Sequence, residues 1–462
     1  MKREMNSTTA TPSIRILLSA YACEPGKGSE AGVGWHWAVE MGRLGHRVSV
    51  LTRLNNRSAI EAALAAPKAR DYASRLEVIY YDLPAWARWW KRKGRGVHLY
   101  YLLWQIFAYR VACKAHRAQR FDAVHHLTFG VLRHPSLMGR LGIPFVVGPL
   151  GGGEATPSLL RRAFPWAARS REWLRDIANV VCRHDPLVRA MYRDADVILC
   201  KTPASLAWLP ERHRSRARCM LEIGVQAAPH FNEIQTCDGM RFQLRLVYVG
   251  RFLSLKGMVI GLRAVKQLRE HGVDVTLTMI GQGPEGKRWR ALAAALSIDD
   301  AISWVPWIPQ HELMNCYATF DALLFPSLHD SSGNVVLEAL SHGLPVVCLD
   351  LGGPAEIVTQ TCGHIVDTRG KTVEQVVEAL SQSLHALASQ PARRVTLRAG
   401  ARQRASEFAW GTVVGRVWNN EGVGSMLVEA AHERRTRSPD SAQPPDSASH
   451  TPAGHALSRD KL

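Results

Sequence analysis

Hydrophobic positions along the first half of the chain form short apolar runs that alternate with amphipathic stretches. An apolar strand pattern at residues 14–19 is followed by a glycine-rich loop, a helix pattern at 35–44 and a second strand pattern at 47–52. A strand, a loop, a helix and a strand within about 40 residues predict a βαβ unit and hence a parallel sheet. The remaining strand patterns of this half are at 77–81, 123–126, 144–148 and 197–200.

The same alternation restarts after Cys237. Strand patterns at 245–250 and 275–281 flank a helix pattern at 257–271. Helix patterns then alternate with strand patterns, at 285–296, 302–305, 310–319, 321–325, 333–342 and 345–348. Two such units in series predict an α/β protein with two Rossmann-like domains that face each other across a cleft, where ligands bind at the carboxyl ends of the strands.

Changes in composition mark the expected boundaries. From about His432 the chain is rich in Ser, Pro and charged residues, with too little apolar content to offset the entropy of ordering. We expect a disordered N-terminus at 1–12, a first domain at 13–237, a second domain at 238–405, a C-terminal helix at 406–430 and a disordered tail at 431–462.

The charge is strongly basic and unevenly distributed. The 462 residues include 58 Lys and Arg against 40 Asp and Glu, a formal net charge of +18. No acidic residue lies between Leu83 and Phe121, and the start of this stretch interleaves Trp86, Trp89 and Trp90 with cations. Tryptophan beside Lys and Arg is typical of a surface at the headgroup level of an anionic bilayer.

Residues 84–120 are therefore expected to contact an anionic membrane surface, and a solvated basic face beside a buried helix is the alternative. The apolar run at 97–111 is too short to span hydrocarbon, which needs about 20 residues. Nucleic acid is not expected as a partner, because the sequence has no helix-turn-helix, RNP aromatic pair or zinc-finger spacing.

Overall composition and cysteine usage exclude several classes of protein. Hydrophobic residues make up 46% of the chain and charged residues 21%, which argues against wholesale disorder and against a collagen-like chain. Nine cysteines, spread singly without a C-x-x-C pair, argue against a disulfide framework or a zinc site. The first twelve residues lack the apolar core of a signal peptide. We expect a cytoplasmic protein, peripheral on the inner face of the cytoplasmic membrane.

Two cations follow the first strand of the second domain, in Gly250-Arg251-Phe-Leu-Ser-Leu-Lys256-Gly257. Arg251 projects from the carboxyl edge of the strand, and Lys256 stands where the next helix begins. Cations beside a helix N-terminus predict a diphosphate site, because unpaired N–H groups and the helix dipole add to the side-chain charge. Two solvated surface cations are the alternative.

A second motif places two carboxylates around a helix start, in His329-Asp330-Ser-Ser-Gly333-Asn334-Val-Val-Leu-Glu338. Glu338 lies about one helical turn beyond the helix start, on a turn able to face the same cleft as Asp330. Backbone N–H groups from Gly333 onward can donate to hydroxyl or phosphate oxygens. The pattern suits a polyhydroxylated, phosphorylated ligand, although Glu338 alone would be read as a surface carboxylate.

Taken together, the motifs resemble those of the family-4 glycosyltransferases of the GT-B fold. The resemblance covers roughly residues 14–425 and rests on G-R-x-x-x-x-K-G, on Ile280-Gly-Gln-Gly-Pro284, and on the acidic-x7-Glu segment followed by Ala-x-x-x-Gly-x-Pro-Val-Val. It implies a retaining, metal-independent transferase without a resident cofactor, acting on a nucleotide-sugar donor and a glycan or lipid-linked acceptor. It also implies that the C-terminal helix returns to the N-terminal, acceptor domain.

The resemblance assigns roles residue by residue. Arg251 and Lys256 would hold the diphosphate, Glu338 the ribose hydroxyls and Asp330 the donor sugar. The family usually has Glu at the position of Asp330. The remaining donor-binding positions are Gly34, Gly250, Gly281, Gly283, Ser332, Gly333, Asn334 and Val335.

The family's strand-end histidine matches one of two neighbours, His125 and His126, close to the transferring sugar. Spacing does not decide between them, and we favour His126 because strand alternation puts it on the same side as Val124. The glycine loops at 32–34 and 148–154 would flank phosphate and acceptor. A nucleotide-sugar epimerase, a phosphorylase-like enzyme and an inactive scaffold in a membrane glycan assembly share the fold and are the alternative functions.

Overall fold

Two parallel sheets organise the chain. The structure is a computed structural model that describes residues 13–84, 96–226, 243–419 and 427. The first sheet has seven strands in the spatial order β3-β2-β1-β4-β5-β6-β7. Its strands are β1 (Arg15–Ser19), β2 (Arg47–Thr52), β3 (Leu76–Tyr80), β4 (Ala123–His126), β5 (Phe145–Leu150), β6 (Val197–Cys200) and β7 (Ala217–Cys219).

Helices cover both faces of this sheet, as the right-handed crossovers between parallel strands require. The central strands β1, β4 and β6 are almost entirely buried, in the pattern of a sheet covered on both faces. The helices described in this domain are α1 (Ser29–Arg43), α2 (Arg57–Ala65), α3 (Val97–Gln119), α4 (Trp166–Cys182), α5 (Pro186–Asp194), α6 (Pro203–Trp208) and α7 (Glu211–Arg214).

The second sheet has six parallel strands in the order β10-β9-β8-β11-β12-β13. Its strands are β8 (Leu244–Val249), β9 (Val275–Ile280), β10 (Ile302–Val305), β11 (Ala322–Phe325), β12 (Val346–Leu349) and β13 (Gly363–Val366). The helices that follow or flank them are α8 (Met258–Glu270), α9 (Gly286–Ala295), α10 (Gln310–Cys316), α11 (Asn334–Ser341), α12 (Gly352–Ile357), α13 (Val373–Ser389), α14 (Pro391–Ser406) and α15 (Trp410–Trp418).

The last helix crosses back to the first domain. Helix α15 packs on α1, and its fully buried Trp418 lies with its ring centroid 5.8 Å from that of His125 on β4. One hydrophobic cluster contains core residues of both domains and of α15. A second cluster occupies the other face of the first sheet, under α3 and α5.

The predicted α/β fold with two Rossmann-like domains is confirmed, and five strands of the second domain lie within one residue of their predicted bounds, whereas the sixth, β13, was not predicted. The predicted loop at 32–34 was wrong, because these residues lie in the first turns of α1. A Cβ at Gly32 would lie 2.2 Å from the carbonyl oxygen of Lys27, so the glycine lets the helix pack against the preceding loop.

Several predictions concern residues outside the described ranges. They are the disordered termini at 1–12 and 431–462, the domain boundary at 237, and the basic tryptophan segment at 85–95. No helix within the described ranges combines the length and the apolar character that crossing a bilayer requires.

Candidate functional site

The loops that follow β8 and β11 meet at the carboxyl edge of the second sheet. The backbone N–H of Leu328 donates to the carbonyl oxygen of Leu255 at 2.9 Å. Gly257, with φ of 68°, lies so close to the second loop that a Cβ would be 1.9 Å from the Pro326 oxygen. This close approach fixes Lys256, which ends the short 3-10 turn Ser254–Lys256, beside the loop that contains Asp330.

Lys256 and Asp330 form an ion pair that is mostly buried. Lys256 Nζ lies 2.5 Å from Asp330 Oδ2, and the two side chains are 16% and 18% exposed. Lys256 Nζ also lies 5.1 Å from the ring centroid of Phe325, at the end of β11. The two motifs that the sequence places on separate loops are therefore adjacent, with the cation and the carboxylate bound to each other.

Asp330 also caps the loop that leads into α11. Its Oδ1 accepts hydrogen bonds from the N–H groups of Ser332 at 3.3 Å and Gly333 at 3.2 Å. Gly333 has φ of 80°, a left-handed conformation that favours glycine. No described residue accepts a hydrogen bond from the N–H groups of Asn334 and Val335, which point out of the first turn of α11. Two backbone donors therefore remain for a ligand.

Arg251 extends from the strand end as predicted, and its side chain is exposed. No hydrogen bond or ion pair joins its guanidinium to any residue that the structure describes. Its backbone carbonyl accepts a hydrogen bond from the Tyr248 hydroxyl at 3.1 Å. The second predicted cation is thus available to solvent at the same sheet edge.

Three glycines of the predicted donor site pack the loops after β8 and β9 against each other. Gly250 and Gly281 have φ of 152° and 137°, and a Cβ at Gly281 would lie 2.1 Å from the Gly250 oxygen. A Cβ at Gly283 would lie 2.5 Å from the Phe252 oxygen. Contact with the chain's own backbone therefore accounts for these glycines, whatever further role they have.

Glu338 lies on the second turn of α11, and its carboxylate is hydrogen-bonded to Gln310. Gln310 Nε2 donates to its Oε1 at 3.1 Å, and no described contact joins it to Asp330. Burial raises the pKa of Glu338 to about 7, although the hydrogen bond from Gln310 opposes the shift. At neutral pH this carboxyl is divided between its protonated and ionised forms, and a ribose hydroxyl could donate to it or accept from it.

A carboxylate of the first domain holds the loop that follows Asp330. Glu154 Oε2 accepts hydrogen bonds from Ser331 Oγ at 2.8 Å and from the Gly152 N–H at 2.8 Å. Its Oε1 accepts from the hydroxyls of Thr202 at 2.6 Å and Ser205 at 2.7 Å. Burial opposes ionisation, but these hydrogen bonds outweigh it and lower the pKa of Glu154 to about 2. The ionised carboxylate thus joins the two domains.

A second cross-domain cluster binds the neighbouring serine. Ser332 Oγ donates to Glu222 Oε1 at 2.7 Å and accepts from Lys201 Nζ at 3.1 Å. Lys201 and Glu222 are buried and 2.6 Å apart. Burial alone would lower the pKa of Lys201, but Glu222 and Glu30 outweigh it and leave the pKa raised. Ser332 is therefore held by charged groups of the first domain.

Helix α4 of the first domain contacts the loop at 328–332. Arg175 Nη1 donates to His329 Nδ1 at 2.6 Å, and Arg175 Nη2 donates to the Glu154 carbonyl at 3.2 Å. Thr156 Oγ1 contacts Glu172 Oε2 at 3.2 Å and the Leu328 carbonyl at 3.4 Å. Residues 328–332 are therefore bound on one side by their own domain and on the other by the first domain.

His126 lies at the end of β4 but is fully buried. Ser19 Oγ lies 3.1 Å from its Nδ1 and Tyr101 Oη lies 2.9 Å from its Nε2. Burial, with smaller effects of His125 and His134, lowers the pKa of His126 to about 3, so the ring is neutral. It shares the apolar side of Val124, whereas His125 faces Trp37 on α1, as strand alternation predicted. Its predicted place near the sugar stays a prediction.

Gly34 lies inside α1 and packs closely on the preceding segment. A Cβ there would lie 2.1 Å from the Ala22 oxygen, so close helix packing accounts for the glycine. Its predicted contact with the donor stays a prediction.

The sequence-based prediction included Glu154 only as the end of the glycine loop at 148–154, and it omitted the other first-domain residues that bind the loop at 328–332. Those residues, Lys201, Glu222 and Arg175, lie far from this loop along the chain. One signal was present: Glu154 directly follows three glycines, and Lys201 directly follows the wholly apolar strand β6. A polar residue at the carboxyl end of a buried parallel strand points to the ligand edge of the sheet.

The second domain matches a known family. Residues 243–404 match the family model described as Glycosyl transferases group 1. The match includes Arg251, Lys256, Asp330 and Glu338. The family resemblance inferred from the motifs is thereby confirmed at the level of group 1.

A relative with an assigned activity aligns with roughly half of the chain. The D-inositol 3-phosphate glycosyltransferase of Saccharomonospora viridis is 32% identical over 246 residues, which cover 51% of this chain and 52% of the relative. Among the first relatives that match, the aligned share of the relative's own length ranges from 40% to 54%.

Solved structures match nearly the whole chain. Sucrose-phosphate synthase from Thermosynechococcus elongatus has a TM-score of 0.57 at 15% identity, covering 91% of this chain and 100% of that one. HepE from Anabaena, solved in complex with UDP, has a TM-score of 0.52 at 15% identity, covering 90% of this chain and 100% of that one. These likenesses show the fold, which is GT-B.

Proposed function

We propose that the protein is a retaining glycosyltransferase that moves a sugar from a nucleotide-diphosphate-sugar to a glycan or lipid-linked acceptor in cell-surface polysaccharide synthesis. The observation that carries the proposal is the meeting of Lys256, Arg251 and the start of α11 at one sheet edge, within a domain of the matching family. An anionic group, the Asp330 carboxylate, already lies between the cation and the helix start. That environment suits the phosphates of a donor.

The proposed chemistry depends on stabilising the leaving group. Breaking the bond between sugar and diphosphate develops negative charge on the diphosphate while the sugar becomes oxocarbenium-like. Preorganised positive charge at that point is the largest favourable contribution. Lys256, Arg251 and the N–H groups of Asn334 and Val335 would supply it in this proposal, which invokes neither a metal nor a resident cofactor. In a front-face reaction, the leaving phosphate would take the proton of the acceptor hydroxyl.

The remaining predicted residues have positioning roles in the proposal. Glu338 would bind the ribose hydroxyls, and Asp330 would contact the donor sugar once Lys256 has turned to the phosphates. His126, which is buried, neutral and in contact with Ser19 and Tyr101, would lie close to the transferring sugar. A UDP-sugar is the first donor to test, because HepE shares the fold and binds UDP.

Donor binding is testable by thermal shift with UDP-, GDP- and ADP-sugars. A nucleotide-sugar at 100 times its Kd should stabilise the protein by about 2.7 kcal/mol. If none of the three raises the melting temperature, the donor site proposed here is wrong. A donor that binds but is converted without any acceptor would indicate an epimerase, and one that binds without turnover would indicate a scaffold.

Replacing Lys256 with Ala should lower kcat by about a hundredfold or more, because a cation at the leaving diphosphate acts mainly in the transition state. The measurement is sugar transfer at saturating donor, beside the melting temperature as a test of folding. Lys287→Ala is the matched control, since Lys287 is an exposed lysine of the same domain. Full activity of Lys256→Ala would contradict the diphosphate assignment.

A further inference from the structure

Helix α4 presents an apolar stripe to solvent. The stripe comprises six large side chains that are between 40% and 76% exposed: Trp166, Trp173, Leu174, Ile177, Val180 and Val181. At 3.6 residues per turn they span an arc of about 120° on one side of the helix. An amphipathic surface helix normally turns such a stripe toward the core, whereas α4 turns it toward solvent.

The opposite side of α4 is polar and buried. Glu172 and Asn179 are the buried residues of the helix, and Arg175 lies between them on the same side. Asn179 donates to the Gly152 carbonyl at 3.2 Å and accepts from Arg133 at 2.9 Å, while Arg175 contacts His329 of the second domain. These contacts fix the orientation of the helix and therefore hold the apolar stripe toward solvent.

The surroundings of the stripe are basic. Arg169 and Arg183 flank it on one side and Arg171 lies beyond its other edge, all three exposed and without an ion pair to any described residue. The acidic residues of α4 are occupied elsewhere: Glu172 lies 3.0 Å from Arg175, and Asp176 lies 2.6 Å from Arg161. An apolar face with an arginine border is therefore what α4 offers to solvent.

We infer that the outward face of α4 docks the protein on an anionic lipid bilayer. A helix with Trp, Leu, Ile and Val on one face and arginines beside it suits the boundary between acyl chains and anionic headgroups. The arginines beside this face are exposed, and the carboxylates of α4 are paired with other arginines, so the charge of the face is complementary to an anionic bilayer. The inference concerns this surface and is independent of the donor site.

This surface differs from the basic segment singled out in the sequence. Within 84–120 the described part exposes Leu99, Ile106 and Phe107, fewer and less exposed apolar side chains than α4 offers. Because α4 also contacts the loop at 328–332, docking there would bring the mouth of the cleft close to the lipid surface.

The inference is testable by cosedimentation of the full chain with vesicles. The variant Trp173→Ser/Val181→Ser should partition about tenfold less into phosphatidylcholine–phosphatidylglycerol vesicles than the wild type. Phosphatidylcholine alone should bind the wild type weakly. The matched control is Trp307→Ser/Val395→Ser, which removes an exposed Trp and an exposed Val from the second domain and should bind like the wild type.

Four outcomes would overturn the inference. One is equal binding of the α4 variant and the wild type, and another is an equal loss in the Trp307/Val395 control. The third is that the wild type does not bind vesicles but forms a dimer, detected by light scattering, and that the α4 variant is monomeric. In that case the face of α4 would bind a second copy of the chain. If neutralising Lys91, Arg92, Lys93 and Arg95 abolishes binding while the α4 variant keeps it, the basic segment is the membrane surface instead.

Discussion

Asp330 shows how much one residue contributes to the arrangement of the site. The sequence predicts an acidic group here and the family usually has Glu, yet the shorter side chain has a geometric reason. Asp, unlike Glu, commonly accepts hydrogen bonds from N–H groups two and three residues ahead, as it does from Ser332 and Gly333. Its ion pair with Lys256 spans 74 residues of sequence, and local patterns contain no information on such a pair.

At Glu338, the raised pKa predicts a pH dependence of stability. Its folded-state pKa of about 7 exceeds the ordinary value of 4.5. The contribution of the protonated form is therefore complete below about pH 4.5 and is lost as the pH rises through about 7. Relative to Glu338→Gln, the wild type should lose about 2–3 kcal/mol of unfolding free energy between pH 5 and pH 8.

Urea unfolding of both proteins at the two pH values measures this difference. Gln310→Ala is an informative companion, because it removes the only described hydrogen bond to the carboxylate and should enlarge the loss. A difference between wild type and Glu338→Gln that does not vary with pH would show that the carboxyl titrates normally.

Among the secondary-structure elements, the second domain was predictable because buried strands and glycine-ended helices alternate in its sequence with short loops. The start of α1 was not. Gly32 and Gly34 have low helix propensity and suggested a loop, whereas close packing of the helix on Ala22 and Lys27 requires glycine at both places. Tertiary contact outweighed local preference, and only the folded structure shows that contact.

The two ends of α8 allow a controlled test of loop contact. Gly257 and Gly272 flank the helix with φ of 68° and 76°, but a Cβ meets the Pro326 oxygen at 1.9 Å at the first and nothing within 4 Å at the second. Gly272→Ala should cost about 1–2 kcal/mol from the left-handed backbone alone. Gly257→Ala should cost at least about 2 kcal/mol more, because backbone must move. Urea unfolding measures both, and equal costs would contradict the close contact of the two loops.

For the whole molecule, the sequence predicted two domains and a cleft but not the contacts that join them. Glu154 with Ser331 and Glu222 with Ser332 connect residues more than 100 positions apart. In the sequence, none of these four polar residues stands out from other polar residues. Their grouping depends on how the two sheets are placed relative to each other, which periodicity does not encode.

The shared hydrophobic cluster predicts that the domains unfold together. Trp418 is 1% exposed, contacts His125, and its carbonyl accepts a hydrogen bond from His46 at 3.2 Å. Trp418→Ala should lower the unfolding free energy by about 3–5 kcal/mol. Calorimetry should show a single transition in the wild type and a large downward shift in the variant.

Trp307→Ala is the control for that substitution, since Trp307 is 69% exposed and should change stability little. Two separate transitions in the wild type would show that α15 does not couple the domains.

The ion pair between Lys256 and Asp330 has a kinetic consequence for the proposed reaction. Because Asp330 is part of the same chain, its carboxylate acts on Lys256 at an effective concentration of millimolar or more, on the order of a short tether. Simple buffer anions then compete poorly with the Asp330 carboxylate for Lys256. A diphosphate displaces the carboxylate, because it carries several charges and also accepts hydrogen bonds from the N–H groups of α11. When the nucleoside diphosphate departs, the Asp330 carboxylate is the first anion to return to Lys256. Each turnover therefore ends with the charge of Lys256 paired with a carboxylate of the same chain.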